Sequence, residues 1–153
     1  MRTANKRKPA VILLVEDDRG DQELTRRALA EGKNHTELRI VEDGEEALAY
    51  LFRWGKYKDP ATSPRPDLLL LDLNLPRVDG REVLERVRGD SKLRRMAVVV
   101  LTTSRQEKDI LRSYELGCNS FITKPVDINQ FTRAIQTLEE YWLQIVVLPP
   151  ETE

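Results

Sequence analysis

The chain has 153 residues, of which 40% are hydrophobic and 33% charged, as is typical of one soluble globular domain with a full core. Its 25 basic and 26 acidic residues give a net charge of −1, so overall charge does not favour binding to nucleic acid or to an acidic membrane. The one cysteine, Cys118, excludes an internal disulfide and a zinc site. No signal peptide and no apolar run of membrane-spanning length is found, so we expect a cytoplasmic protein without a membrane partner.

Short apolar runs alternate with amphipathic stretches along most of the chain. Residues 1–9 are polar and basic and are expected to be a disordered lead. Most of the apolar runs lack alternating polar residues, which is typical of strands buried on both faces of a parallel sheet. The predicted strands are AVILLV (10–15), LRIV (38–41), LLLL (68–71), VVVL (98–101) and the weaker SFIT (120–123).

Helix-start signals follow four of these strands. In each, an acid or a hydroxyl is followed three residues later by Glu or Gln, and such a pair can satisfy free amides at a helix start. The pairs are Asp43/Glu46, Asp79/Glu82, Ser104/Glu107 and Asp127/Gln130. The last helix also has an apolar stripe, formed by Ile128, Phe131, Ile135, Leu138 and Trp142. Residues 53–67 contain three prolines and are predicted to be a long loop.

Strands and helices in this order predict an α/β fold with a parallel sheet covered on both sides. In an open sheet of this kind, ligands bind beyond the carboxyl ends of the strands. The polar residues that directly follow the apolar runs are therefore the candidate site. They are Glu16, Asp17 and Asp18 after the first run, Asp72 and Asn74 after the third, Thr102, Thr103 and Ser104 after the fourth, and Lys124 after the fifth.

Such a cluster of acids suits a metal ion beside a phosphoryl group. Carboxylates that lie close together repel one another, and a hard divalent cation with oxygen ligands removes that cost. A hydroxyl and a lysine beside the cation would bind an incoming anion. The chain has neither GxGxxG after the first strand nor GxxxxGK[ST]. The pattern therefore predicts an aspartate that accepts a phosphoryl group next to Mg²⁺.

Four motifs stand in order on this frame, VEDD (15–18), LDLNLPRVDG (71–80), LTTS (101–104) and FITKP (121–125). Through them the chain resembles the receiver domain of two-component response regulators over about residues 10–143. The resemblance implies a flavodoxin-like (βα)₅ fold, a doubly wound parallel sheet with strand order 2-1-3-4-5. We expect the receiver to span 10–144, with an apolar-then-acidic tail over 145–153.

The resemblance also implies the metal site. Asp72 would be the phosphoacceptor, and Asp17 and Asp72 would ligate Mg²⁺ through their side chains. Asn74 would ligate it through its main-chain carbonyl, and Glu16 would hold metal-bound water. The family more commonly has aspartate at this position, and the side chain of Glu16 is longer by one methylene group. Asp18 is expected to be a helix cap rather than a ligand.

The remaining residues would carry the switch. Thr102 would bond the phosphoryl oxygen, and Lys124 would pair with the phosphoryl group or with Asp72. Thr102 and the aromatic Phe121 would together bias the face formed by the fourth helix, fifth strand and fifth helix, here called the switch face. Phe121 lacks a hydroxyl, which tyrosine, the alternative residue at this position in the family, would have.

The implied function is a single-domain response regulator that accepts a phosphoryl group from a sensor histidine kinase and later loses it by hydrolysis. The long loop and the segment EYWLQIVVLPP (140–150) resemble small regulators that accompany bacterial and cyanobacterial phytochrome kinases. Output would pass through a partner, an onward phosphorelay or self-association. We expect a homodimer through the switch face and the apolar tail, although the tail can equally fold back on its own domain.

Two other functions compete with this interpretation. A haloacid-dehalogenase-type phosphatase also uses an aspartate nucleophile and Mg²⁺, but it usually has a second acid where this chain has Asn74. A receiver that serves only in docking would not need the acids together with Thr102 and Lys124. The chain is therefore not expected to be an enzyme beyond its own phosphorylation and dephosphorylation chemistry.

Overall fold

The computed structural model describes residues 10–30, 36–102, 110, 112, 114–118, 120–123, 129, 133 and 137. The strands are β1 (Ala10–Val15), β2 (Thr36–Val41), β3 (Leu68–Leu71), β4 (Ala97–Thr102) and β5 (Ser120–Thr123). The helices with defined bounds are α1 (Arg19–Ala30), α2 (Gly44–Phe52), α3 (Gly80–Gly89) and a 3₁₀ helix, Gly55–Tyr57.

The five strands form one parallel sheet in the order β2-β1-β3-β4-β5. The predicted α/β class and strand order are thereby confirmed. The chain is helical at residues 110, 112, 114 and 115, between β4 and β5, and at 129, 133 and 137 after β5. The predicted lead, the tail and the apolar stripe of the last helix lie outside the described residues, as do Ser104, Glu107, Asp127 and Gln130.

Successive residues of a strand point to opposite faces of the sheet, and both faces of the central strands are buried here. On one face, Leu13, Leu69 and Val98 belong to a core cluster that includes residues of α2 and α3. On the other face, Leu14 and Leu70 belong to a cluster with residues of α1. The sheet is therefore covered on both sides, as the apolar runs predicted.

Strand β2 is the exception to this burial. Five of its six residues are partly exposed and only Val41 is buried. Its single neighbour in the sheet is β1, and an edge strand has less of its surface covered than a strand between two others. The run LRIV thus predicted the strand correctly but not its burial.

The acid at the start of α2 and of α3 caps the helix in two different ways. Asp43 accepts a hydrogen bond from the amide of Glu46, at 2.7 Å, as predicted. The side chain of Asp79 accepts instead from the amide of Arg81, at 2.7 Å, while the amide of Glu82 donates to the main-chain carbonyl of Asp79 at 3.0 Å. Both helices therefore start where the sequence places them, but only in the first does the side chain of the acid bond the predicted amide.

The predicted loop over 53–67 is attached to the domain. The hydroxyl of Tyr50 donates to the carbonyl of Pro64 at 2.7 Å, and Arg39 donates to the carbonyl of Thr62 at 2.8 Å. Within the loop, the hydroxyl of Tyr57 donates to the carboxylate of Glu46 in α2.

None of the helices in the described part of the chain has the length and apolar character needed to cross a bilayer.

Candidate metal and phosphoryl site

Three carboxylates meet at the carboxyl edge of the sheet. Glu16 and Asp17 follow β1, and Asp72 follows β3, which pairs with β1 so that Val15 lies opposite Leu71. One oxygen from each of the three carboxylates lies within 4.8 Å of the others. The structure therefore brings together all three residues that were expected to contact the metal through their side chains or through metal-bound water.

Burial distinguishes the three acids. Glu16 is 2% exposed and Asp72 is 6% exposed, whereas Asp17 is exposed to solvent. Charged carboxylates in such a position need a compensating charge or hydrogen-bond donors. A set of carboxylate oxygens at one point, with one side open to water, is the donor chemistry that Mg²⁺ prefers. The residues present thus fit the expected cation.

The β3–α3 connection holds Asn74 against Asp72. The amide of Asp72 donates to the carbonyl of Val15 at 3.1 Å, which continues the pairing of the two strands. The amide of Asn74 then donates to Oδ1 of Asp72 at 3.0 Å. Asn74 is itself exposed. The main chain at Asn74 therefore lies beside the carboxylate cluster, where the sequence predicted a carbonyl ligand.

Two glycines allow this connection to pack closely. A Cβ atom on Gly80 would lie 2.2 Å from the carbonyl oxygen of Asp72, and one on Gly44 would lie 1.8 Å from that of Val78. Neither contact leaves room for a side chain, because the opposing atoms belong to the backbone. In the sequence, Gly80 lies within a motif and next to the predicted helix start at Asp79, whereas no motif singles out Gly44. The signal in the sequence that could have identified both glycines is the Asp-Gly pair at the start of α2 and of α3.

Asp18 takes the role of a cap, as predicted. Its Oδ1 accepts a hydrogen bond from the amide of Gly20 at 3.1 Å, and its carbonyl accepts from the amide of Gln22 at 3.0 Å. These bonds satisfy amides in the first turn of α1. Asp18 is also outside the group of acids that meet within 4.8 Å.

The predicted switch residues lie on β4 and β5. Thr102 ends β4, in which Val100 lies opposite Leu71 of β3, so its backbone reaches the carboxyl edge where Asp72 stands. Thr102 is paired with Thr123, the last residue of β5, and Phe121 is paired with Val100. Lys124 lies outside the described residues.

An ion-pair group joins the β3–α3 connection to the start of α2. Arg77 has a left-handed backbone, with φ of 70°. Its guanidinium lies 3.4 Å from Asp43 and 3.4 Å from Glu45. The amide of Gly44 also donates to the carbonyl of Pro76, at 3.3 Å. The connection that carries Asn74 is therefore fastened to α2 as well as to β3.

Further along α2, Glu46 is held by several donors. Burial alone would raise the pKa of Glu46. Hydrogen bonds from the hydroxyl of Tyr57 and the amide of Glu42, with the nearby ammonium of Lys56, lower it below its ordinary value. Burial and the same hydrogen bond to Glu46 raise the pKa of Tyr57. The loop that contains Tyr57 is thus held to α2 by a carboxylate that stays ionised.

Comparison with known proteins gives a consistent set of relatives. The sequence model of the response regulator receiver domain matches residues 12–136. The response regulator Rcp1 of the cyanobacterium Synechocystis sp. is 45% identical over 141 residues, which cover 92% of this chain and 94% of Rcp1.

Solved structures show the same likeness. The phosphorylated cyanobacterial phytochrome response regulator RcpA superposes with a TM-score of 0.87 and 45% identity, covering 94% of this chain and 100% of that chain. The Mn²⁺-bound form of Rcp1 superposes with a TM-score of 0.86 and 45% identity, covering 93% of this chain and 100% of that chain. A divalent cation therefore binds this relative of the chain.

Proposed function

This chain belongs to the response regulator receiver domain family, and from that premise we propose that it accepts a phosphoryl group on Asp72 from a sensor histidine kinase. Receiver domains are signalling modules rather than a classic enzyme family. The observation that carries the proposal is the meeting of Glu16, Asp17 and Asp72 within 4.8 Å at the carboxyl edge of the sheet. Two of these carboxylates are buried, which makes a charged, water-poor site for phosphoryl transfer.

The transfer is a displacement at phosphorus. A carboxylate oxygen of Asp72 forms the new O–P bond while the N–P bond to the donor histidine breaks, and the imidazole keeps the electron pair. Mg²⁺ would be bound by Asp17, Asp72, the carbonyl of Asn74 and water held by Glu16. When bound, the cation would neutralise the charge of the acids and of the phosphoryl oxygens. The amide of Asn74 orients the Asp72 carboxylate by donating to Oδ1.

Two further residues would bind the transferred group. Lys124 would pair with a phosphoryl oxygen, and the hydroxyl of Thr102 would donate to another, which couples phosphorylation to Phe121 and the switch face. Attack of water on the acyl phosphate then releases phosphate and restores the Asp72 carboxylate. The same residues would thus perform both the acceptance and the loss of the phosphoryl group.

Intact mass measurement after incubation with acetyl phosphate and Mg²⁺ tests the acceptor. The unmodified chain should gain one phosphoryl adduct, and Asp72→Asn should gain none. Asp79→Asn is the matched control, because asparagine also caps a helix and Asp79 is exposed at the other end of the same connection. It should be phosphorylated normally.

The same experiment, together with an assay of small phosphate esters, decides among the other functions. An unchanged adduct on Asp72→Asn would contradict the assignment of the acceptor. A folded chain with no adduct at all would indicate a receiver that serves only in docking. Rapid turnover of small phosphate esters would instead favour the phosphatase function.

The proposed donor is a kinase of the phytochrome class. The phytochrome response regulator RcpA aligns with 94% of this chain at 45% identity, and the long loop of this chain resembles that subfamily. We place the exchange in the cytoplasm, as expected from the sequence. Transfer from a purified, autophosphorylated phytochrome kinase should be much faster than transfer from a kinase with another sensor. Equal rates from both kinases would remove the phytochrome assignment.

The proposed output is a homodimer formed through the switch face and the apolar residues Ile145, Val146, Val147 and Leu148. Apolar residues that follow the last helix need a surface to cover them. Light scattering should give a dimer for the full chain and a monomer for a chain that ends at Gln144. Monomers in both samples would reject the dimer and favour a tail that folds back on its own domain.

A further inference from the structure

We propose that Gln22 is a positioning residue that holds Glu16 for cation binding, an inference that rests on the proposed function. Gln22 lies in the first half of α1 and is 9% exposed. Its side-chain Nε2 donates to the main-chain carbonyl of Glu16 at 2.8 Å and to Oε2 of Glu42 at 2.9 Å. One buried amide therefore contacts the residue after β1 and the residue after β2.

The two acceptors lie at the ends of neighbouring strands. Val15 and Val41 are paired at the carboxyl ends of β1 and β2, and the amide of Glu16 donates to the carbonyl of Val41 at 3.0 Å. Gln22 bonds the residue that follows each of these strands. Because a buried amide is costly without acceptors, the two bonds fix α1 relative to both strand ends.

Glu16 is consequently held at both ends. Its main chain bonds Val41 through the amide and Gln22 through the carbonyl, and its Oε2 accepts from the amide of Asp18 at 3.1 Å. Glutamate has one more rotatable bond than the commoner aspartate, so it loses more conformational entropy when its carboxylate is fixed. A backbone fixed by Gln22 reduces the positions that the longer side chain can sample.

Gln22 also restrains another acid near the site. The Glu42 carboxylate accepts from Gln22 and lies 3.6 Å from Nε of the exposed Arg19. The acid group in the described residues contains Glu16, Asp17 and Asp72 but not Glu42. Gln22 therefore fixes the position of Glu16, which is a candidate ligand. Together with Arg19, it also holds the carboxylate of Glu42 outside the cluster of three acids.

Calorimetric titration of the full chain with Mg²⁺ tests this role. Gln22→Met keeps the length of the side chain but removes both donors, and it should raise the Mg²⁺ Kd by about tenfold, as loss of residues that orient metal ligands commonly does. Thr25→Val is the matched control. Thr25 is 1% exposed on the same helix, and its hydroxyl donates to the carbonyl of Asp21 at 3.0 Å, within α1. Its Mg²⁺ Kd should match that of the unmodified chain.

Phosphorylation by acetyl phosphate gives a second readout. Gln22→Met should need about tenfold more Mg²⁺ for half of the maximal rate, while the maximal rate at saturating Mg²⁺ stays near that of the unmodified chain. A general loss of structure would lower the maximal rate instead. Gln22→Ala, which adds no atoms to the core and suits a helix, replaces Gln22→Met if that variant does not fold.

The outcomes separate this inference from the proposed function. An Mg²⁺ Kd within twofold of the unmodified chain for Gln22→Met, or an equal rise for Thr25→Val, would overturn the positioning role while leaving the acceptor assignment in place. An unmodified chain that neither binds Mg²⁺ nor gains a phosphoryl group would overturn both.

Discussion

The two edges of the sheet carry clusters of opposite charge. At the carboxyl edge, Glu16, Asp17 and Asp72 meet within 4.8 Å. At the other edge, a cleft of about 300 Å³ lies between the end of α2 and the residues after α3, and its lining includes three cations, Arg53, Arg65 and Lys92, and one acid, Asp90. The cluster of three acids and this mainly basic cleft are thus separated by the length of the strands.

Helix dipoles explain much of this separation. In a parallel α/β sheet each helix begins at the carboxyl edge and runs back, so helix amino ends gather at one edge and carboxyl ends at the other. The amino end of a helix favours an anion and the carboxyl end favours a cation. Cations in the cleft at the ends of α2 and α3 therefore need no ligand to account for them.

The acids need more than a dipole. A helix end can stabilise a single carboxylate by roughly 0.3–1 kcal/mol, whereas three carboxylates at one point repel one another. The difference between the edges is thus informative, because helix ends account for the basic edge but not for the acidic edge, whose carboxylate oxygens fit a divalent cation. This is the physical reason to place the proposed phosphoryl site at the carboxyl edge.

The largest expected effect comes from a substitution that displaces the backbone beside the three acids of the carboxyl edge. Gly80→Ala places a Cβ atom 2.2 Å from the carbonyl oxygen of Asp72. Because the Cβ atom is fixed to its own main chain and the atom that it meets belongs to the backbone, the β3–α3 connection must shift, and we expect a loss of about 3 kcal/mol in the free energy of unfolding. Mg²⁺ binding should weaken with it. Urea denaturation and calorimetry measure the two effects.

The opposite end of the same helix provides the control. A Cβ atom on Gly89 would meet nothing within 4 Å, so Gly89→Ala should leave Mg²⁺ binding unchanged and raise stability by up to about 1 kcal/mol. Equal losses of stability for the two variants would show that the close approach at Gly80 is not what holds the acidic edge.

The next effect concerns the basic edge. The Arg88 guanidinium donates to the carbonyls of Gly117, Arg94 and Met96 at 2.7, 2.9 and 2.7 Å. Arg88→Met leaves these carbonyls without this donor, and we expect a loss of about 2 kcal/mol in unfolding free energy. The rate of phosphorylation by acetyl phosphate, measured where the variant is folded, should not change.

An exposed arginine on the same helix is the control for this prediction. Arg86 lies 3.8 Å from Glu82 and 5.7 Å from the centre of the Phe52 ring. Such contacts at a surface stabilise weakly, so Arg86→Met should cost less than about 1 kcal/mol. A similar cost for both arginines would remove the special role of Arg88.

The smallest expected effect is a change of stability with pH, which comes from a thiol at the edge opposite the acids. Burial raises the pKa of the Cys118 thiol from 9.0 to about 11. Unfolded chains therefore lose this proton before folded chains do, and the free energy of unfolding falls as pH rises between the two values. The cost should be about 1 kcal/mol near pH 10 relative to neutral pH.

Cys118→Ala isolates this contribution. Urea denaturation at neutral pH and near pH 10 should show a smaller alkaline loss for the variant than for the unmodified chain. Identical losses would mean that the thiol titrates alike in both states. Phosphorylation of Asp72 should be equal in the two chains at neutral pH, because Cys118 precedes β5 at the edge opposite the acids.

The sequence predicted the central part of the fold well because its signals were local. The runs at 10–15 and 68–71 are fully apolar or nearly so, and both became buried strands with the predicted bounds. Asp43 and Asp79 marked the starts of two helices. The run LRIV did not by itself predict the partial exposure of β2, although the strand order implied by the resemblance already placed this strand at the edge of the sheet with one neighbour.

The site was predictable only in part. Glu16, Asp17 and Asp72 could be brought together in advance because parallel strands end at one edge. Gln22 could not be singled out, since its position in α1 has the pattern of an ordinary polar helix residue. Gly44 likewise had no signal beyond the Asp-Gly pair, because the carbonyl it faces belongs to a residue more than thirty positions away.

By itself, the amino-acid sequence determined the alternation of strands and helices, the strand order implied by the family motifs, and the acids that follow β1 and β3. Those features depend on residue type and spacing along the chain. Only the tertiary structure decided that Gln22 bonds Glu16 and Glu42 and that Gly80 lies against Asp72. Distances between separate elements are set by how the helices pack on the sheet, and packing is a property of the folded chain.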